Sequence, residues 1–242
     1  SIYLTEDDAA IVTNVTVTVT AFNSDASSTD IIDAAQSDLS TGDNGNIVLV
    51  ATLGNITLND GSDADNISVT ANGAGNILID ALAGSVTANA DILSDTGDIT
   101  ITADDDIEFT ANVDVTTATP GTISIDAETG TLTMDGTANV EATDSSARLN
   151  AALDVIVGNV TATNVSIVSG EDIVNAANST KNVTATNLRL AAIGSIGTSD
   201  RHVTTNIDNV SASAANGSIY LTEDDAAIVT NVTVTVTAFN SD

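Results

Sequence analysis

Cysteine and tryptophan are absent from the 242 residues, and proline, methionine and histidine (His202) occur once each. Without cysteine there is no disulfide and no thiolate metal site, and the redox compartment stays open. A single histidine excludes a histidine-cluster metal centre. Aromatic residues make up 2 % of the chain and Lys+Arg number 4, so neither charge nor stacking platforms exist for nucleic acid. No apolar run reaches bilayer-spanning length, and insertion of this segment into a membrane is not expected. Nor does an initiator methionine or a signal peptide open the chain, which reads as a piece of something longer.

What is present is acid and small apolar residues. Asp and Glu total 34 and the formal charge is −30, yet 42 % of the residues are hydrophobic, mostly Ala, Val and Ile. That content suffices to bury a core, which excludes an acidic disordered chain.

Residues 1–25 recur letter for letter as residues 218–242, an offset of 217. Chance does not produce such an identity. The sequence therefore divides into one 217-residue unit and the opening of the next, and residues 218–242 are expected to form that unit's first coil.

A finer period lies within the unit. Segments of the form Gly–polar–branched–x–apolar recur, as in Gly45-Asn46-Ile47-Val48-Leu49, Gly75-Asn76-Ile77-Leu78-Ile79 and Gly121-Thr122-Ile123-Ser124-Ile125. Alternation at period two with β-branched residues predicts short strands with one buried face, punctuated by Gly, Asn and Asp at corners. The strands group in threes, and the third of each group opens on asparagine: Asn14, Asn66, Asn89, Asn112, Asn139, Asn159, Asn182, Asn209 and Asn231. These positions mark eight coils per unit, one of them enlarged by an insertion. Stacking of coils at ~4.8 Å aligns such residues into a column. An axial amide ladder and a simple corner preference of asparagine both account for it.

The phrases Gly54-Asn55-Ile56-Thr57-Leu58, Gly97-Asp98-Ile99-Thr100-Ile101 and Gly130-Thr131-Leu132-Thr133-Met134 resemble filamentous-haemagglutinin-type repeats of secreted bacterial adhesins, over roughly residues 45–221. The resemblance implies an all-β, right-handed parallel β-helix with three short strands per coil, in an extracellular or cell-surface setting. The near-identical long repeat and the acidity depart from that pattern, so no adhesive target is carried over.

Three segments interrupt the coils. In 21–43, Ile31, Ala35 and Leu39 share a helical face, and Ser28, Thr29 or Asp30 supplies an N-cap, which predicts a short helix. Residues 59–65 read as a polar loop, as do 199–208, which carry Arg201 and His202. In the first of these loops Asp60, Asp63 and Asp65 alternate around Gly61, offering oxygen ligands to calcium.

Catalysis finds little support. The acid runs Glu6-Asp7-Asp8, Asp104-Asp105-Asp106 and Glu171-Asp172 lack the aromatic sugar platforms that a glycosidase cleft uses, and the basic residues are scattered. No catalytic residue is assigned and the chain is not read as an enzyme. The reading that remains is a structural subunit of a long extracellular fibre, its partner being itself, end to end. Its alternatives are the non-catalytic stalk of a large adhesin and a polysaccharide-active β-helix enzyme. One unit alone has 30 acids and 4 bases and carries −26. Over eight coils this approaches the ~1.7 Å charge spacing of duplex DNA. Such rods repel at low salt and are expected to bundle through divalent cations bridging Asp104, Asp105, Asp106, Asp224 and Asp225. Adaptation to high salt accounts for the acidity equally well.

Overall fold

The computed structural model describes residues 1–240, so the last two residues of the second copy, 241 and 242, lie outside the described residues. The described residues contain strands and no helix. All pairings but those of one hairpin are parallel, and they form three ladders of a parallel β-helix.

The first ladder stacks Ile2–Glu6, Ile47–Ala51, Ile77–Ala81, Ile99–Ala103 and Ile123–Ala127 in register. It continues through 147–151, 165–169, 188–192 and 210–214. The second runs from Ala10–Val12 through Ile56–Leu58, Val86–Ala88, Ile107–Phe109, Leu132–Met134 and Val155–Val157 to Ile173–Asn175, and on by single bridges through Ile196 to Ile219. The third begins at Leu39–Thr41, takes Ile67–Ala71, Asp91–Ser94 and Asp114–Ala118, and continues through 139–143, 159–162, 183–185 and 205–207.

Alternation turns every second side chain into the rod. Ile47, Ile77, Ile99 and Ile123 stack fully buried, as do Ala51, Ala81, Ala103 and Ala127. Leading glycines are required by the stacking itself. A Cβ on Gly97 would stand 2.0 Å from the Gly75 carbonyl oxygen, and one on Gly121 would stand 2.3 Å from that of Gly97. From the sixth coil on, the corner before the first ladder has no glycine. There the chain runs from third to first ladder without a break, in Asn139–Ala151, Asn159–Ser169, Val183–Ala192 and Val203–Ala214.

Two expectations are corrected. The helix of 21–43 is instead an antiparallel hairpin of Thr18–Phe22 with Ser28–Ile32. Thr18, Val19, Thr20, Thr29, Ile31 and Ile32 are β-branched and favour extended backbone over a helix that nothing covers. The Asp25 carboxylate, held below its ordinary range by its hydrogen bonds from Ser27, closes the turn at 2.6 Å from the Ser27 hydroxyl. Leu39, assigned to the helical face, opens the third strand of the first coil. The polar loop of 199–208 ends at His202, and Val203 begins a strand whose alternate side chains Val203, Thr205 and Ile207 are buried.

Candidate functional site

Polar columns run along the corners, and where a glycine leads the strand the residue after it supplies the column. Before the first ladder, the side-chain oxygen of one coil accepts the backbone N–H of the next. Asn46 N–H donates to Ser1 Oγ at 3.0 Å and Asn76 N–H to Asn46 Oδ1 at 2.9 Å. Asp98 N–H donates to Asn76 Oδ1 at 2.9 Å, and Thr122 N–H to Asp98 Oδ1 at 2.8 Å. The same column then becomes an amide ladder. Asn164 Nδ2 donates to Ser146 Oγ at 3.2 Å, Asn187 to Asn164 Oδ1 at 2.8 Å, and Asn209 to Asn187 Oδ1 at 3.0 Å. A second corner repeats the device: Ser85 N–H donates to Asn55 Oδ1 at 2.9 Å and Thr131 N–H to Asp106 Oδ1 at 2.8 Å. Further along that column, Asp172 N–H donates to Asp154 Oδ1 at 2.9 Å. Such bonds satisfy amides that a turn leaves without a strand partner.

The asparagines assigned to one column divide among several roles. Asn139, Asn159 and Asn182 share one register position before the third ladder. Asn139 donates to Asp114 Oδ1 at 2.6 Å. Buried Asn182 donates to the Val157 carbonyl at 2.7 Å and accepts Thr204 N–H at 2.9 Å. In earlier coils the position belongs to Asp91 and Asp114, which the spacing missed. Burial raises Asp91 above the ordinary carboxylate range even though Asp114 N–H and Asn66 both donate to it. Asn66 and Asn112 stand just before, at φ +65° and +62°, where asparagine is tolerated for its left-handed conformation. Asn89 stacks on Asn59 at 2.9 Å, and Asn14 accepts the Ser62 hydroxyl at 3.0 Å. Asn209 is a correction: it belongs to the first-corner ladder, because the third-ladder position of its coil is taken by Thr204. Asn231 is exposed and outside any strand.

The acidic loop gains a member from outside the sequence motif. Carboxylate oxygens of Asp38, Asp60 and Asp63 lie within 4.8 Å of one another. Asp65, assigned with them, turns its Oδ1 to the Ile67 N–H at 2.9 Å. Burial, and then the charges of Asp63, Asp65 and Asp60, raise the Asp38 carboxyl to about 6. One oxygen each of Asp38 and Asp60 is buried without a hydrogen-bond partner. Gly61 lets the loop close, since a Cβ there would stand 2.2 Å from the Ser37 side chain. All-oxygen donors of this kind, with two of them uncompensated, fit a hard cation such as calcium. Asp38 lies within 21–43, well before the 59–65 loop in sequence, so no spacing motif finds it; closure of the first coil on the second brings it in.

Of the acids expected to bridge rods, Asp105 and Asp225 are exposed, Asp104 is half-buried and Asp106 binds Thr131 N–H. Asp224 pairs with Lys181 at 2.6 Å. Arg148 pairs with Asp126 at 3.0 Å, and the Arg201 guanidinium donates to the Asn175 carbonyl. His202 Nδ1 lies 2.8 Å from Thr222 Oγ1. No family model, curated protein or solved structure matches the chain.

Proposed function

We propose that this chain is a structural repeat of a long extracellular or cell-surface fibre, in which each unit adds its first strands to the last coils of the unit before. One observation carries the reading. The opening of the second copy is already built onto the end of the first unit, with Ile196 N–H donating to the Ser218 carbonyl at 2.9 Å and Tyr220 N–H to the Ile196 carbonyl at 2.7 Å. At the other end Ile2–Glu6, Ala10–Val12 and Leu39–Thr41 each pair on one side only, an edge that invites a further strand. The resemblance to filamentous-haemagglutinin-type repeats supports the surface setting. The acidic cluster holds calcium between the insertion-bearing first coil and the second, and exposed acids bundle rods through divalent cations.

The test is length. Chains of one, two and four units, imaged by electron microscopy, are expected to lengthen by ~40 Å per unit at ~4.8 Å per coil. Beads on flexible links overturn the fibre. Turnover of an acidic glycan that is lost on mutating one carboxylate pair overturns it in favour of an enzyme.

A further inference from the structure

We propose that the outer face of the first ladder is a docking groove, and that its occupant is the free edge of the 18–32 hairpin carried by the next unit of the same chain. This rests on the fibre reading above and adds to end-to-end stacking a second, outer fastening across each junction. Residues 230–240, which duplicate 13–23, lie along that face. Thr230 N–H donates to the Val210 carbonyl at 2.9 Å, in the ninth strand of the ladder. Thr237 N–H donates to Thr122 Oγ1 at 3.0 Å, just before the fifth strand, and Phe239 N–H to Thr100 Oγ1 at 3.2 Å, in the fourth. The segment from Thr230 to Phe239 thus crosses the coils over ~24 Å, most of the ~30 Å that so many residues reach when extended. Outward-facing Val50, Leu78, Asp80, Thr100, Ser124 and Ser166 are at most 5 % exposed on this ladder. By contrast, outward Glu108 of the second ladder and Glu141 and Thr161 of the third are exposed.

The hairpin of the first copy shows which edge is free. Asn23 N–H donates to the Ser27 carbonyl at 3.0 Å and Asp33 N–H to the Val17 carbonyl at 2.9 Å, at the two ends of the register that pairs Thr20 with Asp30. Antiparallel ladders alternate bonded and non-bonded pairs. The amides of Val17, Val19, Ala21 and Asn23 therefore face the second strand of the hairpin, and those of Thr18, Thr20 and Phe22 face away. Thr20 and Phe22 are the counterparts of Thr237 and Phe239, the two residues whose amides hold the ladder. Hairpin and groove thus use opposite edges of one segment, and a single copy can satisfy both. The side chains report the same fit. Val15, Val17, Val19 and Phe22 are exposed, whereas their counterparts Val232, Val234, Val236 and Phe239 are buried or half-buried. Residues 9–24 carry no charge, so the segment meets an acidic rod without repulsion, and Thr100 and Thr122 offer it uncharged acceptors.

The test uses two whole units, residues 1–242 followed by 26–217, isotope-labelled in the second unit only, with hydrogen exchange read amide by amide. Val236, Thr237, Ala238 and Phe239 are all expected to be protected, the first and third by the hairpin, the second and fourth by the groove. Thr100→Val with Thr122→Val in the first unit should raise exchange at Thr237 and Phe239 about tenfold and leave Val236 and Ala238 unchanged. With the first unit labelled instead, Thr20 and Phe22 have no groove before them and should exchange freely beside protected Val19 and Ala21. Free exchange at Thr237 and Phe239 overturns the docking, whatever Val236 and Ala238 do. So does protection that survives the double substitution, or equal protection of Thr20 and Phe22. Protection of Thr237 and Phe239 without Val236 and Ala238 overturns the hairpin as occupant. Protection that falls on dilution assigns the groove to the hairpin of another rod and overturns the same-chain source. Each of these leaves the fibre standing; the fibre fails separately, if electron microscopy shows the two units as beads on a flexible link.

Discussion

The two identical segments, 1–25 and 218–242, have different structures. In the first, Thr18–Phe22 pairs with Ser28–Ile32, and Val15, Val17 and Val19 are 60 %, 49 % and 54 % exposed. In the second, residues 230–240 run instead over the outer face of the first ladder. Val232 there is 7 % exposed, Thr237 N–H donates to Thr122 Oγ1 at 3.0 Å, and Phe239 N–H donates to Thr100 Oγ1 at 3.2 Å. The same alternating Val-Thr residues hold a hairpin strand in the first copy and no strand in the second. Identical residues thus take different partners, and the nearest unsatisfied surface determines which.

The comparison breaks most completely if the rod under both copies is lost. Gly97→Ala puts a methyl group 2.0 Å from the Gly75 carbonyl oxygen, and backbone there does not yield as the end of a flexible side chain would. Urea denaturation followed by circular dichroism should show a loss of about 3–5 kcal/mol, or no cooperative transition. Gly42→Ala, with nothing within 4 Å of its Cβ position, should lie within about 0.5 kcal/mol of the parent.

A smaller effect is expected at Asn182, which fastens the coil that receives Leu221–Glu223. Asn182→Ala leaves the Thr204 N–H without its acceptor and removes one of the two hydrogen bonds to the Val157 carbonyl, the other being from Ala176 N–H. About 2–3 kcal/mol should be lost, and hydrogen exchange should quicken in 203–223 before 2–12. Equal acceleration in both copies would show that Asn182 supports the whole rod rather than its end.

The acidic loop sharpens the contrast, because Asn14 of the first copy accepts its Ser62 hydroxyl while Asn231 is exposed. Asp38 is raised from 3.8 to about 6 in the folded chain. The folded state therefore holds more protons than the unfolded state between those values, and the contribution of this group to stability falls as pH rises through that window. Without calcium, exchange at 59–65, corrected for intrinsic rates, is expected to be slower at pH 5 than at pH 7. Millimolar calcium should restore protection at pH 7, and Asp38→Asn should abolish the pH dependence. A flat profile in the parent would show that Asp38 does not control the loop.

The smallest effect separates the copies directly. Thr100→Val with Thr122→Val removes the hydroxyls that hold Thr237 and Phe239. Exchange at those two amides should rise about tenfold, equivalent to ~1.4 kcal/mol, with Thr18–Phe22 unchanged.

Much of this was legible in the residues. Gly-Asn-Ile, Gly-Asp-Ile and Gly-Thr-Ile mark corners because a stacked coil tolerates no Cβ at the first position and needs a side-chain acceptor at the second. The asparagine column was half legible. Asn139, Asn159 and Asn182 bond along the axis, whereas Asn66 and Asn112 answer a backbone need, and spacing alone does not distinguish the two. Helical spacing of Ile31, Ala35 and Leu39 misled because a periodicity within an insertion has no core to answer to. Asp38 was invisible, being joined to Asp60 and Asp63 only when one coil closes on another.

By itself, then, the sequence determined strands, corners, coil count and the acidic exterior, since each follows from demands repeated every coil: alternation, a corner without a Cβ, a polar acceptor. Tertiary structure alone decided which corner Ser1 and Ser218 occupy, which partner each Val-Thr strand takes and which carboxylates meet. The corner motif fits two of the three sides equally well, and an extended strand is complementary to any free edge, so only the packing of one coil on the next selects between them.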